Sequence, residues 1–204
     1  MAIACDITFD QKKLKEEVRA TYARVATDPN GDFHFHRGPE YAARQLGYDY
    51  VALQALPRFA TASFAGVGNP FQMGALPSGA TVIDLGCGAG MDCLLAAKQV
   101  GPQGRVIGFD MTDAMLERAR EAAALAGLAH AHFEKADISE LPLAPDSVDV
   151  VISNGVINLA PDKHKVFEEL FRVVKPGGRL QFADIIIEQE LSLDVRNDID
   201  LWTG

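Results

Sequence analysis

The sequence has few cysteines and no long apolar run. Three cysteines in 204 residues are too few for a disulfide framework, so we expect the reducing cytoplasm as the compartment. No stretch is apolar over the length that a bilayer span needs, and residues 1–10 lack the basic start and apolar run of a secretory signal. We therefore expect neither a disulfide-stapled secreted scaffold nor a membrane protein.

Basic residues are also scarce. The 19 Lys and Arg residues are outnumbered by 28 Asp and Glu, which gives a formal net charge of −9 at pH 7. An acidic surface repels phosphate backbones and anionic lipids, so we expect no nucleic-acid or membrane partner and a small molecule instead.

We also predict no metal site. His34 and His36 would share one side of an extended segment, but no further cluster of ligands accompanies them.

Three alternating glycines follow an apolar segment near the middle of the chain. Residues 82–90 read V-I-D-L-G-C-G-A-G, and the helix-compatible run C-L-L-A-A follows at 93–97. This pattern is typical of a strand, a tight turn and a helix. The glycines let the chain reverse, let the backbone approach a ligand and let the helix pack on the strand. A second strand pattern ends in Asp110, about twenty positions beyond Gly90, where an acid that binds ribose hydroxyls is expected.

Short apolar runs alternate with helical periods from residue 81 onward. This alternation predicts an α/β fold with a Rossmann-like, doubly wound, mostly parallel sheet. The predicted strands are 81–85, 105–109, 130–134, 148–153 and 179–187, and the predicted helices between them are 91–100, 113–126 and 162–173. We expect two domains, an N-terminal helical cap and loop over 1–80 and a ligand-binding core over 81–204. Within the cap, helices are expected up to about residue 27, at 41–46 and at 50–56, before a glycine-rich loop at 63–70.

Four motifs in order carry a family resemblance. The series D-L-G-C-G-A-G, V-I-G-F-D-M, A-D-I and K-P-G-G-R-L resembles class I S-adenosylmethionine-dependent methyltransferases over the last three fifths of the chain. The turn is G-x-G-x-G, whereas a nicotinamide-binding turn is G-x-G-x-x-G. The resemblance implies S-adenosylmethionine as the cofactor. The implied cofactor-binding residues are Asp84, Gly86, Cys87, Gly88, Gly90, Asp110, Met111, Met115, Ala136, Asp137, Ile138 and Asn154.

The resemblance implies a role for several of these side chains. Asp110 is expected to accept hydrogen bonds from the ribose hydroxyls; the alternative role is to cap the following helix, and the two roles are compatible. Asp137 is expected to accept from the adenine amino group. Met111 and Met115 either cover the adenine or pack in the core. Asn154, at the end of the fourth strand, is the polar residue expected to orient the methyl acceptor, and no general base can be named.

A narrower resemblance is to arsenite methyltransferases. It rests on residues 92–112, on I-S-N-G-V-I-N-L-A-P-D-K at 152–163, on the loop G-V-G-N-P at 66–70 and on D-L-W-T-G at 200–204. In that family cysteine thiolates hold the arsenic. Two of those cysteines are replaced by Val67 and Gly155, and a third would follow Gly204. We therefore expect a small acceptor and poor activity on arsenite. The alternative is a cofactor-binding protein, or a partner-binding subunit, without arsenite methylation activity.

The end of the sequence predicts a sheet that lacks its last strands. A class I sheet usually has seven strands, and after the fifth strand residues 194–202 read as a helix. The C-terminal strands are therefore expected to be missing, either because the chain is shortened or because a minimal domain covers its edge by dimerising. An exposed edge with apolar residues predicts self-association, with a homodimer through this edge as one form.

Overall fold

One parallel sheet organises the part of the chain that the structure describes. In the computed structural model, which describes residues 10–186, five strands lie in the order β3-β2-β1-β4-β5. The strands are β1 (Thr81–Leu85), β2 (Arg105–Asp110), β3 (Ala131–Lys135), β4 (Val148–Asn154) and β5 (Val174–Ala183). The helices are α1 (Gln11–Thr27), α2 (Pro39–Leu46), α3 (Tyr50–Gln54), α4 (Arg58–Ala62), α5 (Met91–Val100), α6 (Asp113–Leu125) and α7 (Lys163–Val173).

The sheet confirms the predicted α/β class. Every strand pair is parallel, and β1 lies in the centre with four of its five residues buried. The chain runs outward from β1 through β2 to β3 and then crosses back to β4 on the other side of β1. Such a reversal of strand order opens a crevice beyond the carboxyl ends of the strands, where ligands bind in open α/β sheets.

Two apolar layers cover the faces of the sheet. On one face, α5 is buried along almost its whole length, because its sequence is apolar around most of the helix. On the other face, α7 turns Val166, Leu170 and Val173 inward against the strands. Side chains that alternate along each strand enter one layer or the other. The central strands β1, β2 and β4 are therefore buried on both sides, as their continuous apolar runs predicted, whereas the edge strands β3 and β5 are partly exposed.

The N-terminal helices pack against the first of these layers. Leu53 of α3 and Ala60 of α4 belong to the same buried cluster as Leu94 of α5. A separate buried cluster joins Val25 of α1 to Met115 of α6. Asp10 caps α1 by accepting the Lys12 backbone N–H at 2.8 Å. This packing holds α1 close to the carboxyl edge of the sheet.

Among residues 10–186, no helix has the length and apolar character that crossing a bilayer requires.

Most predicted bounds agree with the structure to within two residues, with three exceptions. The fifth strand begins at Val174, not at residue 179, because the K-P-G-G segment remains in the strand and is accommodated by a register shift opposite Val148. It ends at Ala183 and does not continue to residue 187, since Asp184 instead accepts the backbone N–H groups of Ile157 and Asn158. The short helix α4 after Pro57 was not predicted, since five residues are too few to establish a helical period. Residue 187 of the predicted fifth strand and the predicted helix at 194–202 lie outside the described residues.

Candidate functional site

A cavity of about 690 Å³ lies at the carboxyl edge of the sheet. Its wall is built from the turn after β1, the ends of β2 and β4, the segment after β3, helix α1 and the loop at 63–66. All of the residues predicted to bind the cofactor line this cavity except Gly90. The fold therefore brings together residues from four separate stretches of the sequence, at 84–88, 110–115, 136–138 and 154.

The three glycines of the turn have different surroundings. All three have positive φ angles, from +52° to +90°, which glycine adopts without strain. A methyl group on Gly86 would lie 2.5 Å from Val156, and one on Gly90 would lie 3.1 Å from Ala119. A methyl group on Gly88 would meet nothing nearer than the Met115 sulfur at 4.0 Å. Gly88 therefore faces the open cavity, whereas Gly90 allows close packing of α5.

Asp110 is held rigidly at the end of β2. One carboxylate oxygen accepts the Gly88 N–H at 2.9 Å and the other accepts the Thr112 N–H at 2.8 Å. Burial raises the pKa of Asp110, and the hydrogen bonds from Thr112 and Gly88 oppose that rise. Each oxygen of a carboxylate has two lone pairs, so both can still accept a hydroxyl. The predicted role in ribose binding and the alternative contact with the following helix are thus compatible.

Helix α1 contributes a wall that the sequence motifs did not predict. Tyr22 lines the cavity, and burial together with the nearby negative charge of Asp110 raises its pKa to about 12. Met115 is buried beside Val25 of α1 and also reaches the cavity, while Met111 is half-buried. Met115 therefore combines the two roles that the sequence left open, since it packs in a core cluster and borders the cavity.

Asp137 forms an ion pair with Lys15 of α1. Its second oxygen accepts from the Ser139 N–H at 3.0 Å and from the Ser139 hydroxyl at 2.7 Å. Although burial alone would raise it, these donors hold the pKa of Asp137 below its usual value. Ala136 and Ile138 flank it on the cavity wall. Contact between Asp137 and an adenine amino group stays a prediction, and Lys15 would share that carboxylate.

The Asn154 side chain fastens a loop of the N-terminal region to the end of β4. Its oxygen accepts the N–H groups of Val67 at 2.8 Å and Gly68 at 3.1 Å. Its nitrogen donates to the Gly68 carbonyl at 2.8 Å, to the Tyr48 hydroxyl at 3.0 Å and to Asp92 at 3.2 Å. The amide is therefore occupied by protein partners. That Asn154 orients the methyl acceptor stays a prediction. Such an effect would act through the loop at 67–68 that Asn154 positions.

Tyr48 and Asp92 were missed by the sequence analysis. The Tyr48 hydroxyl donates to Asp92 at 2.8 Å across 44 positions of sequence. Burial raises the pKa of the tyrosine, and the neighbouring carboxylate adds to that rise. One local signal could have indicated Asp92, because it is a single acid in the first turn of an otherwise apolar helix. Tyr48 carries no comparable signal.

Val67 and Gly155, which replace the implied arsenic-binding cysteines, lie next to each other. A methyl group on Gly155 would be 3.1 Å from Val67 Cγ1. The two positions therefore meet at an apolar contact with no thiol. Cys87 and Cys93 lie instead at the base of the glycine turn, and burial raises the pKa of Cys87 to about 11 and that of Cys93 well above its usual value. Buried protonated thiols are poor ligands for a soft centre.

Within residues 10–186, no three His, Cys, Asp or Glu side chains are grouped so that they could hold a metal ion. His36 stacks on Tyr41 with ring centroids 5.1 Å apart, and His34 meets Phe35 edge-on. The two histidines thus take part in separate aromatic contacts. The polar groups of the cavity include carboxylates, amides, hydroxyls, backbone N–H groups and cationic side chains such as Lys15 and Arg19, which recognise an organic ligand by hydrogen bonds and charge.

A parallel sheet with a glycine turn, an acid at the end of β2 and a cavity over the strand reversal define a nucleotide-type binding site. A family described as "Methyltransferase domain" matches residues 76–203. The chain belongs to this methyltransferase domain family. Its cofactor is S-adenosylmethionine. The cavity fits that molecule, because Gly88 leaves open space where a side chain would intrude and Asp110 keeps lone pairs free for hydroxyls.

Similar proteins point to one branch of this family. The chain is 40% identical over 208 residues to an arsenite methyltransferase of Halobacterium salinarum, covering 96% of this chain and 53% of that protein. It is 37% identical over 132 residues to the human arsenite methyltransferase, covering 59% of this chain and 35% of that protein. The chain thus spans about half the length, or less, of these curated relatives.

A solved structure agrees with the sequence comparison. The arsenic(III) S-adenosylmethionine methyltransferase of Chlamydomonas reinhardtii superimposes with a TM-score of 0.64 at 39% identity, covering 71% of this chain and 51% of that one. This chain is therefore arsenite-methyltransferase-like in sequence and fold, while Val67 and Gly155 depart from the thiols that the family resemblance implies.

Proposed function

We propose that this chain transfers a methyl group from S-adenosylmethionine to a small acceptor. One observation carries the proposal. A single cavity runs from Gly88 and Asp110, on the cofactor side, to Phe64, Gly155 and Val156, on the side of the N-terminal loop. A donor and an acceptor can therefore meet inside one cavity. The small-molecule class is supported by the names of the relatives and by the size of the cavity.

Methyl transfer from a sulfonium requires little of the protein beyond positioning the donor and the acceptor. A sulfonium methyl group is already electrophilic, so the protein must hold donor and acceptor in line and exclude water. The loop at 66–68 is fixed by Asn154, and the wall beside it contains Phe64, Val156 and Leu159. We infer that the acceptor lies against this mostly apolar wall. An acceptor atom with a free lone pair would need no general base.

The test is a homocysteine-release assay with a panel of thiols, phenols, amines and metalloids. Turnover of S-adenosylmethionine that depends on one class of acceptor would support the proposal and identify the substrate. Tight binding of the cofactor without turnover of any acceptor would contradict it and favour a cofactor-binding or partner-binding protein.

Arsenite is the second candidate, because the curated relatives are arsenite methyltransferases. We predict that this chain methylates arsenite poorly, since Val67 and Gly155 supply no thiolate where they touch. The measurement is arsenic speciation after incubation with arsenite, glutathione and S-adenosylmethionine. Efficient formation of methylated arsenic would contradict this prediction while leaving the methyltransferase assignment intact.

Two further proposals concern the setting of the molecule. We propose that the chain self-associates through the β5 side of the sheet, where exposed apolar side chains gather. Phe171 is 88% exposed and Ile186 is 83% exposed.

We also propose the reducing cytoplasm as the compartment, because thiols such as Cys87 and Cys93 are part of the buried packing in reduced form.

A further inference from the structure

Helix α1 crosses the cavity beside the two acids that are predicted to hold the nucleoside. Burial and the nearby negative charge of Asp110 raise the pKa of Tyr22, so Tyr22 lies close to the end of β2. Lys15 forms an ion pair with Asp137, which follows β3. Lys15 and Tyr22 are seven positions apart, which is about 10 Å along a helix. Val18, between them, also lines the cavity. A nucleoside held by Asp110 and Asp137 would therefore lie against this face of α1.

The C-terminal end of α1 is anchored by apolar packing. Val25 is fully buried in one cluster with Met115 of α6. Leu14 and Val18, nearer the N-terminal end, are also buried, but neither belongs to an apolar cluster of residues 10–186. Many small dispersion contacts together hold a packed end firmly. Among the described residues, the packing that joins α1 to the core is therefore concentrated near Val25.

The N-terminal end of α1 is tied to the cavity wall by an ion pair. Within residues 10–186, the pair of Lys15 with Asp137 is the one that joins α1 to another element, since the pair of Lys12 with Glu16 lies inside the helix. The side chains of Lys15 and Asp137 are 40% and 41% exposed. Such a pair changes an equilibrium constant by about fivefold at most, and salt weakens it. It can therefore open and close while the packing near Val25 persists.

We propose that α1 is a lid over the nucleoside part of the cavity, hinged near Val25 and latched by the ion pair of Lys15 with Asp137. Opening the latch lets S-adenosylmethionine enter and S-adenosylhomocysteine leave, and closing it covers the nucleoside. The inference goes beyond the proposed function, because it concerns the exchange of cofactor and product and does not depend on the acceptor. Lys15 acts by holding the helix and not by contacting the ligand, which separates a latch from a binding residue.

The experiment measures the association and dissociation rates of S-adenosylhomocysteine by surface plasmon resonance on the immobilised chain. The ammonium and the carboxylate of this ligand cancel, so electrostatic steering contributes little to its association. Lys15→Met should raise both rates about threefold to fivefold and leave the dissociation constant within about twofold, because a latch slows entry and exit alike. 5′-Methylthioadenosine, which lacks the amino-acid end, should respond in the same way, since the lid covers the nucleoside.

Two further variants separate the latch from a general effect on the helix. Lys13→Met is the matched control, because Lys13 is exposed on the same helix and does not line the cavity, and it should change neither rate. Lys15→Arg keeps the cation and should leave both rates within about twofold of the wild-type values. Hydrogen exchange in Lys15→Met should become faster at residues 15–19 and stay unchanged at residues 24–27, which lie at the hinge.

Other results overturn the proposal in recognisable ways. A higher dissociation rate with an unchanged association rate would make Lys15 a direct contact of the ligand. An effect on S-adenosylhomocysteine but not on 5′-methylthioadenosine would place Lys15 at the amino-acid end. Unchanged rates in Lys15→Met would show that α1 does not control exchange. If the wild-type chain bound neither ligand, the cofactor site itself would be rejected, and the proposed function with it.

A salt series on the wild-type chain covers the case in which Lys15→Met does not fold. Raising NaCl from about 20 mM to about 500 mM should increase both rates of S-adenosylhomocysteine, because screening weakens the half-exposed ion pair. In Lys15→Met, where it folds, the same series should leave both rates nearly constant. Wild-type rates that stayed constant over this range would overturn the proposal.

Discussion

At the scale of single residues, the site depends on groups whose backbone or side-chain geometry leaves room for a ligand. Gly88 and Asp110 are the clearest pair, because the Gly88 N–H is hydrogen-bonded to Asp110 while its Cα faces the cavity. A change at either residue should therefore affect cofactor binding in addition to the stability of the fold.

Asp110→Ala should weaken binding of S-adenosylmethionine and S-adenosylhomocysteine by about 1.5–3 kcal/mol, the worth of hydrogen bonds to a charged group. The ribose would lose its acceptor, while the backbone around the turn would lose two side-chain hydrogen bonds. Calorimetric titration measures the change. Unchanged affinity would reject the ribose assignment, and NAD binding as tight as that of S-adenosylmethionine would reject the cofactor.

Gly88→Ala can be compared with Gly127→Ala, a control at another glycine with a positive φ angle. Gly88 has a φ of +52° and Gly127 has a φ of +66°, and a methyl group on Gly127 would meet no atom within 4 Å. Each alanine should cost about 1–2 kcal/mol of unfolding free energy, because L residues disfavour this region. Only Gly88→Ala should also weaken S-adenosylhomocysteine binding, since its methyl group enters the cavity. Equal loss of affinity in both variants would place the effect in the fold.

At the scale of elements, three strands are tied together at the edge of the sheet opposite the cavity. Asp149 of β4 accepts the Thr81 N–H of β1 at 2.8 Å and pairs with Lys175 of β5 at 2.7 Å. The hydrogen bond from Lys175 lowers the pKa of Asp149 below its ordinary value of 3.8. Because the pKa is lower in the folded chain, the contribution to stability is present above about pH 4 and is lost as the pH falls further.

Asp149→Asn should lower the free energy of unfolding by about 1 kcal/mol at pH 7, a value reduced for the partial exposure of the ion pair. The difference from the wild-type chain should shrink as the pH falls from about 5 to about 3. Urea denaturation at several pH values measures it. Glu168→Gln, at an exposed ion pair of α7, is the control and should change little. A difference that stayed constant over this pH range would contradict the electrostatic explanation.

At the scale of the whole molecule, the β5 side of the described sheet differs from the rest of the surface. β5 pairs with β4, and no second strand covers its other edge among residues 10–186. Phe167 of α7 lies over Phe182 with ring centroids 6.2 Å apart, and both are partly exposed. An edge with exposed apolar side chains is a surface on which a second copy can pair.

We therefore expect the chain to self-associate as its concentration rises, and light scattering can measure this. Phe171→Lys together with Ile186→Lys should reduce association, because charge on an edge opposes pairing. Val51→Lys is the matched control, since Val51 is 73% exposed and lies on α3, outside both β5 and α7. A monomeric wild-type chain whose β5 amides exchange as slowly as those of β1 would reject this expectation.

The sequence by itself determined the sheet, its order of elements and the cofactor. Apolar runs, glycine turns and the acids after them are local signals, since strand burial, positive φ angles and ribose recognition are each set by a few consecutive residues. That is why Gly88 and Asp110 could be predicted to border the cavity. The expected domain division at residue 80 stays a prediction, although residues from both sides share one buried cluster.

Only the tertiary structure decided how distant residues meet in the site. Lys15 pairs with Asp137, Tyr48 donates to Asp92, and Val67 touches Gly155, across 122, 44 and 88 positions respectively. These contacts depend on where the N-terminal helices and loop pack on the sheet, and that packing comes from many weak apolar contacts with no sequence period of their own. For the same reason Asn154 was predicted at the site but its partners were not.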